Sequence, residues 1–343
     1  VEVYRPFLIR SGQQEGLSFT NTDLIQNIDF SAGGFQSKYG DKLSSVLDIT
    51  YRKPTQFGAT VEASFLGGSA SLDVISKDKR WTAITGVRYR NNSLLVNSQE
   101  TQTNYAPSFV DVQTAINFQA SSKWQWSFLG NISQNKYNYE PLTRQTNFGT
   151  IDNPQALLIF YEGQERDQYQ TFFGAIKTTF KASDVSTYKF VGAVFHTLEK
   201  ERFDILAEYR LAEIDTNIGS ETLGDVSFSR GIGSQLNHAR NDLDALIANA
   251  EFKGIHDWKN NLVEWGVKYT RESIRDRISE WEVIDSAGFA LNPPRFLPKK
   301  DEPYTIYNGP LAPYQDVRAI NFNTINRFSG YLQWSRKANL GTS

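Results

Sequence analysis

The chain has 343 residues, and its 36 Lys and Arg against 38 Asp and Glu give a formal net charge of -2, so no general basic field attracts nucleic acid. Mean hydropathy is -0.47, no apolar run approaches the roughly 20 residues of a transmembrane helix, and cysteine is absent, which excludes disulfides and thiol catalysis. A helical membrane protein is therefore excluded, whereas a membrane β-barrel is not, because its strands alternate and stay polar on average.

The first fifty residues are expected to form a small mixed unit. The sequence predicts a short strand at residues 1–4 and a helical turn over residues 23–25, with Asn21 or Thr22 as its N-cap. Alternation predicts strands over residues 27–31 and 46–51. Between them, Gly33 and Gly34 predict a turn that needs positive φ.

A series of fixed spacings runs through this unit. Val3-Tyr4 is followed by Pro6, and a later stretch contains Gly33, Gly34 and Phe35, then Tyr39 and Gly40, then the run from Leu43 to Ile49 with Ser44 and Ser45. These features resemble the C-terminal part of the plug domain of TonB-dependent outer-membrane receptors, in the version common in the Bacteroidetes. Thr22 stands where that family usually has proline, a minor change within a turn. An unrelated α+β fragment is the alternative.

The resemblance implies a division of the chain. Residues 1–53 are expected to be the C-terminal part of a plug domain, and residues 54–343 the N-terminal half of a transmembrane barrel of about 22 strands. The predicted fold class is an all-β membrane protein, in which a partial antiparallel transmembrane β-barrel follows the end of an α+β plug domain. The chain is expected to be about half of a receptor, because its last residues lack the terminal aromatic that usually closes such a barrel.

Beyond Pro54 the sequence predicts ten strands from alternation alone. They cover residues 57–66, 69–76, 81–89, 110–120, 124–132, 169–180, 188–197, 243–254, 262–270 and 320–334. The clearest is 110–120, where one face carries Val110, Val112, Thr114, Ile116, Phe118 and Ala120, and the other carries Asp111, Gln113, Asn117 and Gln119. This pattern predicts lipid on the first face and water or the plug on the second.

The predicted connections alternate between short and long. Short polar turns are expected at 76–80, 121–123, 181–184 and 255–260, and long loops at 91–108, 135–167, 199–241 and beyond 270. An exception is a short connection at Gly67-Gly68. This asymmetry is typical of outer-membrane barrels. Five tryptophans flank the short turns and are predicted to form a periplasmic aromatic girdle: Trp81, Trp124, Trp126, Trp258 and Trp334.

Catalytic and metal-binding signals are weak. His196, His238 and His256 are far apart in the sequence, and residues 215–219 resemble a calcium loop only faintly, because Glu221 comes too early for that pattern. The carboxylates of residues 162–167 fit a hydrated surface better than acid–base chemistry. The sequence therefore predicts no enzyme, no cofactor and no metal site.

Binding is the better prospect. The resemblance implies that substrate lies between the plug apex and the inner faces of the outer loops. The matching positions are Tyr4, Arg5, Phe7, Arg10 and Gln13. The alternative is that these side chains pack the plug against the barrel wall.

The function implied by the resemblance is TonB-energised uptake, across a bacterial outer membrane, of a nutrient too large for porins. The expected partners are outer-membrane lipid, the TonB complex through a segment N-terminal to this chain, and a surface lipoprotein or another outer-membrane protein, but no nucleic acid. Two alternatives stay open: an outer-membrane scaffold that docks partner proteins without transport, and a soluble carbohydrate-binding β-protein. Iron chelates, corrinoids, glycans and peptides all remain candidate substrates.

Overall fold

The computed structural model describes residues 2–4, 18–40, 42, 44–94, 103–150, 152–285, 287 and 313–336. Nearly all of this described chain is antiparallel β-structure. Within it, no helix combines the length and the apolar character needed to cross a membrane.

The N-terminal segment consists of a small sheet with two 3₁₀ turns. Strand β1 (Ile25–Ser31) pairs antiparallel with β2 (Val46–Tyr51). The first turn, Thr22–Leu24, is capped by Asn21, whose side chain accepts a hydrogen bond from the Asp23 backbone N–H. The second turn is Ser37–Tyr39. These findings confirm the capped turn and both strands.

Two details of this segment differ from the sequence prediction. Residues 2–4 do not form a strand, because they contact the large sheet through side chains rather than through a backbone ladder. The helical part of the expected α+β unit is limited, in the described part of residues 18–53, to the two 3₁₀ turns. The predicted positive φ is confirmed at Gly33 (88°) and Gly34 (62°).

A large antiparallel sheet follows, in which each strand on the main path pairs with its neighbours in sequence order. Its strands are β3 (Gly58–Ser64), β4 (Gly67–Ile75), β5 (Trp81–Asn91), β6 (Thr103–Gln119), β7 (Trp124–Pro141), β9 (Asn153–Lys181), β10 (Ser186–Ile214), β11 (Val226–Trp258), β12 (Asn261–Asp285) and β13 (Pro313–Arg336). An additional strand, β8 (Arg144–Thr150), pairs with β9. All ten predicted strands are therefore present, and the all-β architecture is confirmed.

The predicted connections were only partly right. The short turns between β4 and β5, β6 and β7, β9 and β10, and β11 and β12 are found. The connection between β3 and β4 lies two residues earlier than predicted, at Phe65 and Leu66. Gly67 already begins β4, with φ of 138° and with the Tyr89 carbonyl oxygen only 2.1 Å from where a Cβ would stand.

The long loops predicted at 135–167 and 199–241 are wrong. Strands β7, β9, β10 and β11 continue through these stretches, and β10 and β11 form one long hairpin whose connection covers only residues 215–225. The physical reason is that the two faces of the sheet do not differ there, being both polar around residues 199–202 and both apolar around 156–160, so the alternation that reveals a half-buried strand disappears.

The core lies between the N-terminal segment and one face of the large sheet. Phe19 packs edge-to-face on Phe173, with ring centroids 5.5 Å apart, in a buried cluster that also contains Phe109 and Phe195. A second cluster joins Leu24 of the segment to the sheet. We call the face that contacts the segment the inner face, and the opposite one the outer face.

Candidate functional site

The outer face of the sheet is apolar and exposed. Its central residues form what we call the apolar band: Val61, Leu72, Val87, Val112, Phe128, Ile176, Val194, Phe252, Val267 and Leu332, one from each strand of the main path. Their exposed fractions run from 40% at Phe252 to 78% at Val61. A folded chain in water rarely leaves so continuous an apolar surface uncovered.

The five predicted girdle tryptophans lie on this outer face, at strand ends beside the short turns. All five are exposed. Trp81 stacks on Phe118 with ring centroids 4.1 Å apart, and Trp124 packs against Phe180 at 4.5 Å. The structure thus brings aromatic rings together along the short-turn edge of the apolar band. Their role as a membrane girdle stays a prediction.

Beside the two apolar clusters, the inner face carries buried polar side chains. The Arg88 guanidinium makes the largest number of contacts among them. Arg88 donates from Nε and Nη2 to the two carboxylate oxygens of Asp111, at 2.9 and 2.7 Å. It also donates to the backbone carbonyl oxygens of Thr20 and Ser18, at 3.0 and 3.1 Å. Asp111 is 1% exposed. One buried ion pair in the sheet therefore holds the backbone of the N-terminal segment.

Gln113 adds a second set of contacts to the same segment. Its Oε1 accepts hydrogen bonds from the Asn21 backbone N–H (3.4 Å) and the Tyr51 hydroxyl (3.0 Å), and its Nε2 donates to the Phe19 carbonyl oxygen at 3.3 Å. Burial raises the pKa of Tyr51, so its hydroxyl remains a donor. The predicted contact of inward polar residues with the segment is thus found for Gln113, whereas Asp111 bonds to the sheet residues Arg88 and Asn131, of which Arg88 in turn bonds to the segment. Asn117 instead accepts a hydrogen bond from the sheet residue Ser127.

Residue Glu2 and the second 3₁₀ turn of the segment are tied to β12 and β13. Glu2 forms ion pairs with Lys42 (2.7 Å) and with Lys268 of β12. Burial raises the pKa of Glu2, but the hydrogen bonds from Lys268 and Lys42 outweigh that effect and hold the pKa at about 2. The Ser37 N–H and hydroxyl both donate to Gln333 Oε1, at 3.0 and 3.1 Å. The segment is therefore held by these polar contacts in addition to the two apolar clusters around Phe19 and Leu24.

Of the five predicted binding residues, only Tyr4 is among the residues that the structure describes. Tyr4 donates from its hydroxyl to Asn249 Oδ1 at 3.1 Å and packs on Phe195, so this side chain lies against the sheet. Arg5, Phe7, Arg10 and Gln13 lie outside the described residues. Substrate binding by this group stays a prediction.

Among the residues that carry the resemblance, the described ones of the glycine-rich stretch lie mainly on the exposed side of the segment, whereas Val3 and Tyr4 pack against the sheet. An added Cβ at Gly33, Gly34 or Gly40 would meet nothing within 4 Å. Tyr39 donates a hydrogen bond to Asp48, and Phe35 is half-buried, whereas Ser44 and Ser45 are exposed. Apart from the turn geometry at the glycine pair, their role stays a prediction.

The histidines lie apart and have different partners. His196 bonds to Asp244 (2.8 Å), His238 to Asp204 (2.5 Å) and His256 to Ser186 (3.0 Å). Among the described residues, no group of three His, Asp or Glu side chains is placed to hold a metal ion.

Comparison with known proteins gives no relative. No protein-family model, no curated protein and no solved structure matches this chain.

Gly86 gives a direct test of how closely the segment docks. An added Cβ would stand 2.5 Å from Asn21 Nδ2 and 3.1 Å from Leu24 Cδ2. We expect Gly86→Ala to weaken docking by about 1–3 kcal/mol, the usual effect of overpacking, measured as faster proteolysis of the segment and a lower free energy of unfolding. Gly174→Ala is the control, because a Cβ there meets nothing within 4 Å and alanine is better than glycine within a strand. Equal effects at the two positions would contradict the docked arrangement.

Proposed function

We propose that this chain is the first part of an outer-membrane β-barrel, that its N-terminal segment is the plug, and that it serves TonB-energised uptake of a nutrient too large for porins. The membrane location rests on one observation: the exposed face of the sheet is the apolar one, and the face covered by the segment carries the buried polar residues. Its apolar face is exposed across ten strands, whereas its polar face buries Asp111 and Gln113 against the segment. A sheet in water buries its apolar face instead.

The stagger of the short turns supports a tilted barrel wall. One rung of paired residues runs through Trp81, Phe118, Trp126, Thr178, Phe190, Phe252 and Val267. The strands that leave the four short turns begin at Trp81, Trp124, Ser186 and Asn261, which lie zero, two, four and six residues below that rung. A constant stagger in one direction is what strands tilted to a barrel axis require.

The nature of the docking contacts fits a plug that moves. Besides the apolar clusters around Phe19 and Leu24, Gln113, Glu2 and Gln333 hold the segment through an ion pair and hydrogen bonds, and water replaces such contacts at a modest net cost. Pulling by the TonB complex, through a segment N-terminal to this chain, would then shift the plug and open a path along the polar inner face. The cargo class is not part of this proposal.

A reversible lock tests transport. The chain has no cysteine, so Asn21→Cys with Gly86→Cys introduces its sole thiol pair, at positions where a Cβ added to residue 86 would stand 2.5 Å from Asn21 Nδ2. In cells that carry the whole receptor, oxidation of the pair is expected to abolish uptake of its nutrient, and reduction to restore it. The two single-cysteine variants are the controls.

Other outcomes point to other functions. If uptake persists under the lock, or after removal of the upstream TonB-contacting segment, while partner proteins still co-purify, the chain is an outer-membrane scaffold. If the protein leaves the cell envelope without detergent, the membrane location is wrong and a soluble β-protein is the better assignment.

A further inference from the structure

Four arginines lie on one level of the outer face, beyond the apolar band. Arg166 of β9 is the direct cross-strand partner of Arg202 of β10, and Arg202 is the direct partner of Arg240 of β11. Arg318 of β13, opposite Ser279, continues the same level. Like charges directly opposite each other destabilise a sheet, and the chain itself compensates three of the four: Arg202 pairs with Asp242, Arg240 with Asp204 and Arg318 with Asp316.

The two adjacent levels towards the band add further cations. We call the whole set the basic belt: Lys136, Arg166, Lys200, Arg202, Arg240, Arg275, Arg277 and Arg318. The carboxylates on the same face of these three levels are Asp242, which pairs with Arg202 and Arg277, and Asp244, which pairs with His196. Within the described chain, Lys136, Lys200 and Arg275 make no ion pair or hydrogen bond, and all three are exposed. Asp204 and Asp316, one level farther from the band, pair with Arg240 and Arg318. The eight cations thus outnumber the three carboxylates that pair with them, which are Asp204, Asp242 and Asp316.

The inner face of the same levels has the opposite charge. Its ionisable residues there are Asp167, Glu199, Glu201, Asp276 and Glu280, with no cation among the described residues. An ordinary hydrated surface mixes the two signs on each face. At these levels, the cations are concentrated on the outer face, which also carries the apolar band. The acidic residues are concentrated on the inner face.

The position of the belt matches the edge of a membrane. On β7, the last apolar outer-face residue, Ile132, is followed by Lys136 four residues later, a rise of about 13 Å along the strand. On the same face, a groove of about 670 Å³ is lined by the cations Lys200, Arg202, Arg275 and Arg277 and by the apolar side chains Leu198, Ile320 and Phe322. The carboxylates Glu199, Asp242, Asp244 and Asp276 also line it. Asp242 is already paired with Arg202 and Arg277, whereas Lys200 and Arg275 have no partner among the described residues. Cations beside exposed apolar groups fit an amphiphile with an anionic head.

We propose that the basic belt binds the phosphate head groups of anionic lipid in the membrane leaflet on the long-strand side. This inference rests on the proposed membrane location. The head groups supply negative charge to Lys136, Lys200 and Arg275, which have no anionic partner among the described residues, and the acyl chains continue onto the apolar band. The belt thereby fixes the depth of the sheet in the membrane and leaves the acidic inner face to the lumen.

The test compares lipid binding by the whole receptor in neutral detergent, with phosphatidylglycerol and phosphatidylcholine as the two probes and native mass spectrometry as the readout. The variant is Lys200→Gln with Arg275→Gln, because neither side chain has a partner whose loss would disturb the fold. The control is Lys77→Gln with Arg230→Gln, two exposed cations outside the belt. A juxtamembrane cation contributes about 1 kcal/mol to binding an anionic surface, or about fivefold in affinity.

We expect the native protein to prefer phosphatidylglycerol, the belt variant to lose about fivefold in affinity per cation removed, and the control to keep native affinity. Millimolar inorganic phosphate is expected not to displace the lipid, and displacement would assign the belt to free phosphate instead. Equal binding of the two lipids, or equal losses in both variants, would overturn the proposal. Neither result alters detergent-dependent extraction, so failure of the belt and failure of the membrane location are distinguishable.

Discussion

Replacement of Arg88 by alanine is expected to lower the free energy of unfolding by about 3–5 kcal/mol, because it leaves the buried Asp111 carboxylate without its counter-ion. The same change removes the hydrogen bonds from Arg88 to the carbonyl oxygens of Ser18 and Thr20. The N-terminal segment should therefore loosen as well as the sheet. Urea unfolding in detergent measures the first effect, and limited proteolysis of the segment measures the second.

Arg90→Ala is the matched control, since Arg90 lies on the same face of the same strand and is half-buried, but it bonds to the Ser64 hydroxyl rather than to a buried carboxylate. Its expected cost is within about 0.5 kcal/mol. A second variant, Arg88→Met with Asp111→Leu, removes both charges together. It should recover much of the lost stability, because replacing a whole buried pair by apolar groups is often neutral, but the segment should remain easily cleaved. An Arg88→Ala protein with native stability would show that the pair is hydrated rather than buried.

The strands that were predictable from sequence are those with two different faces. In 110–120, Val110 and Val112 alternate with Asp111 and Gln113, and the structure places the first pair on the exposed outer face and the second against the segment. The capped turn at Asn21 was predictable for a different reason, because an N-cap hydrogen bond is local.

The strands that were missed have no such contrast. Lys200, Glu201 and Arg202 are successive residues of β10, and their polar character on both faces reads as loop. What holds them in a strand is pairing with distant residues, such as Arg202 with Arg166 and Arg240. This register depends on which strands become neighbours in the sheet. The alternation of apolar and polar residues within one strand contains no information about it.

The docking site was only half predictable for a similar reason. The inward direction of Asp111 and Gln113 follows from alternation within one strand. The role of Arg88 requires the register of β5 on β6 and the position of the Ser18 and Thr20 carbonyl groups, which lie 70 and 68 residues away in sequence. Likewise, the need for glycine at position 86 arises from Asn21 and Leu24. No local pattern marks either residue.

The outer face offers the sharpest test of the proposed membrane location. Ile176 lies near the middle of the outward stretch of β9 and is 45% exposed. In water, Ile176→Arg at such a position should change the free energy of unfolding by no more than about 0.5 kcal/mol. At the midplane of a bilayer, the same change should cost about 2–4 kcal/mol, because the guanidinium must be desolvated or the bilayer deformed. We expect the larger value, measured by urea unfolding of the receptor in lipid vesicles.

Phe228→Arg is the matched variant, because it also places arginine on an exposed apolar residue, but near the far end of β11, beyond the basic belt. Both substitutions keep the strand and change only the medium that surrounds the new charge. The difference between their effects therefore measures that medium directly, with strand propensity largely cancelled. If both variants lose less than about 0.5 kcal/mol, the outer face is in water and the membrane location is wrong. If both variants lose several kcal/mol, the loss comes from the effect of arginine on the strands and not from the medium around Ile176. A large loss at Ile176 with none at Phe228 requires an apolar medium around the centre of the sheet, and only then does the polar inner face become the route for cargo.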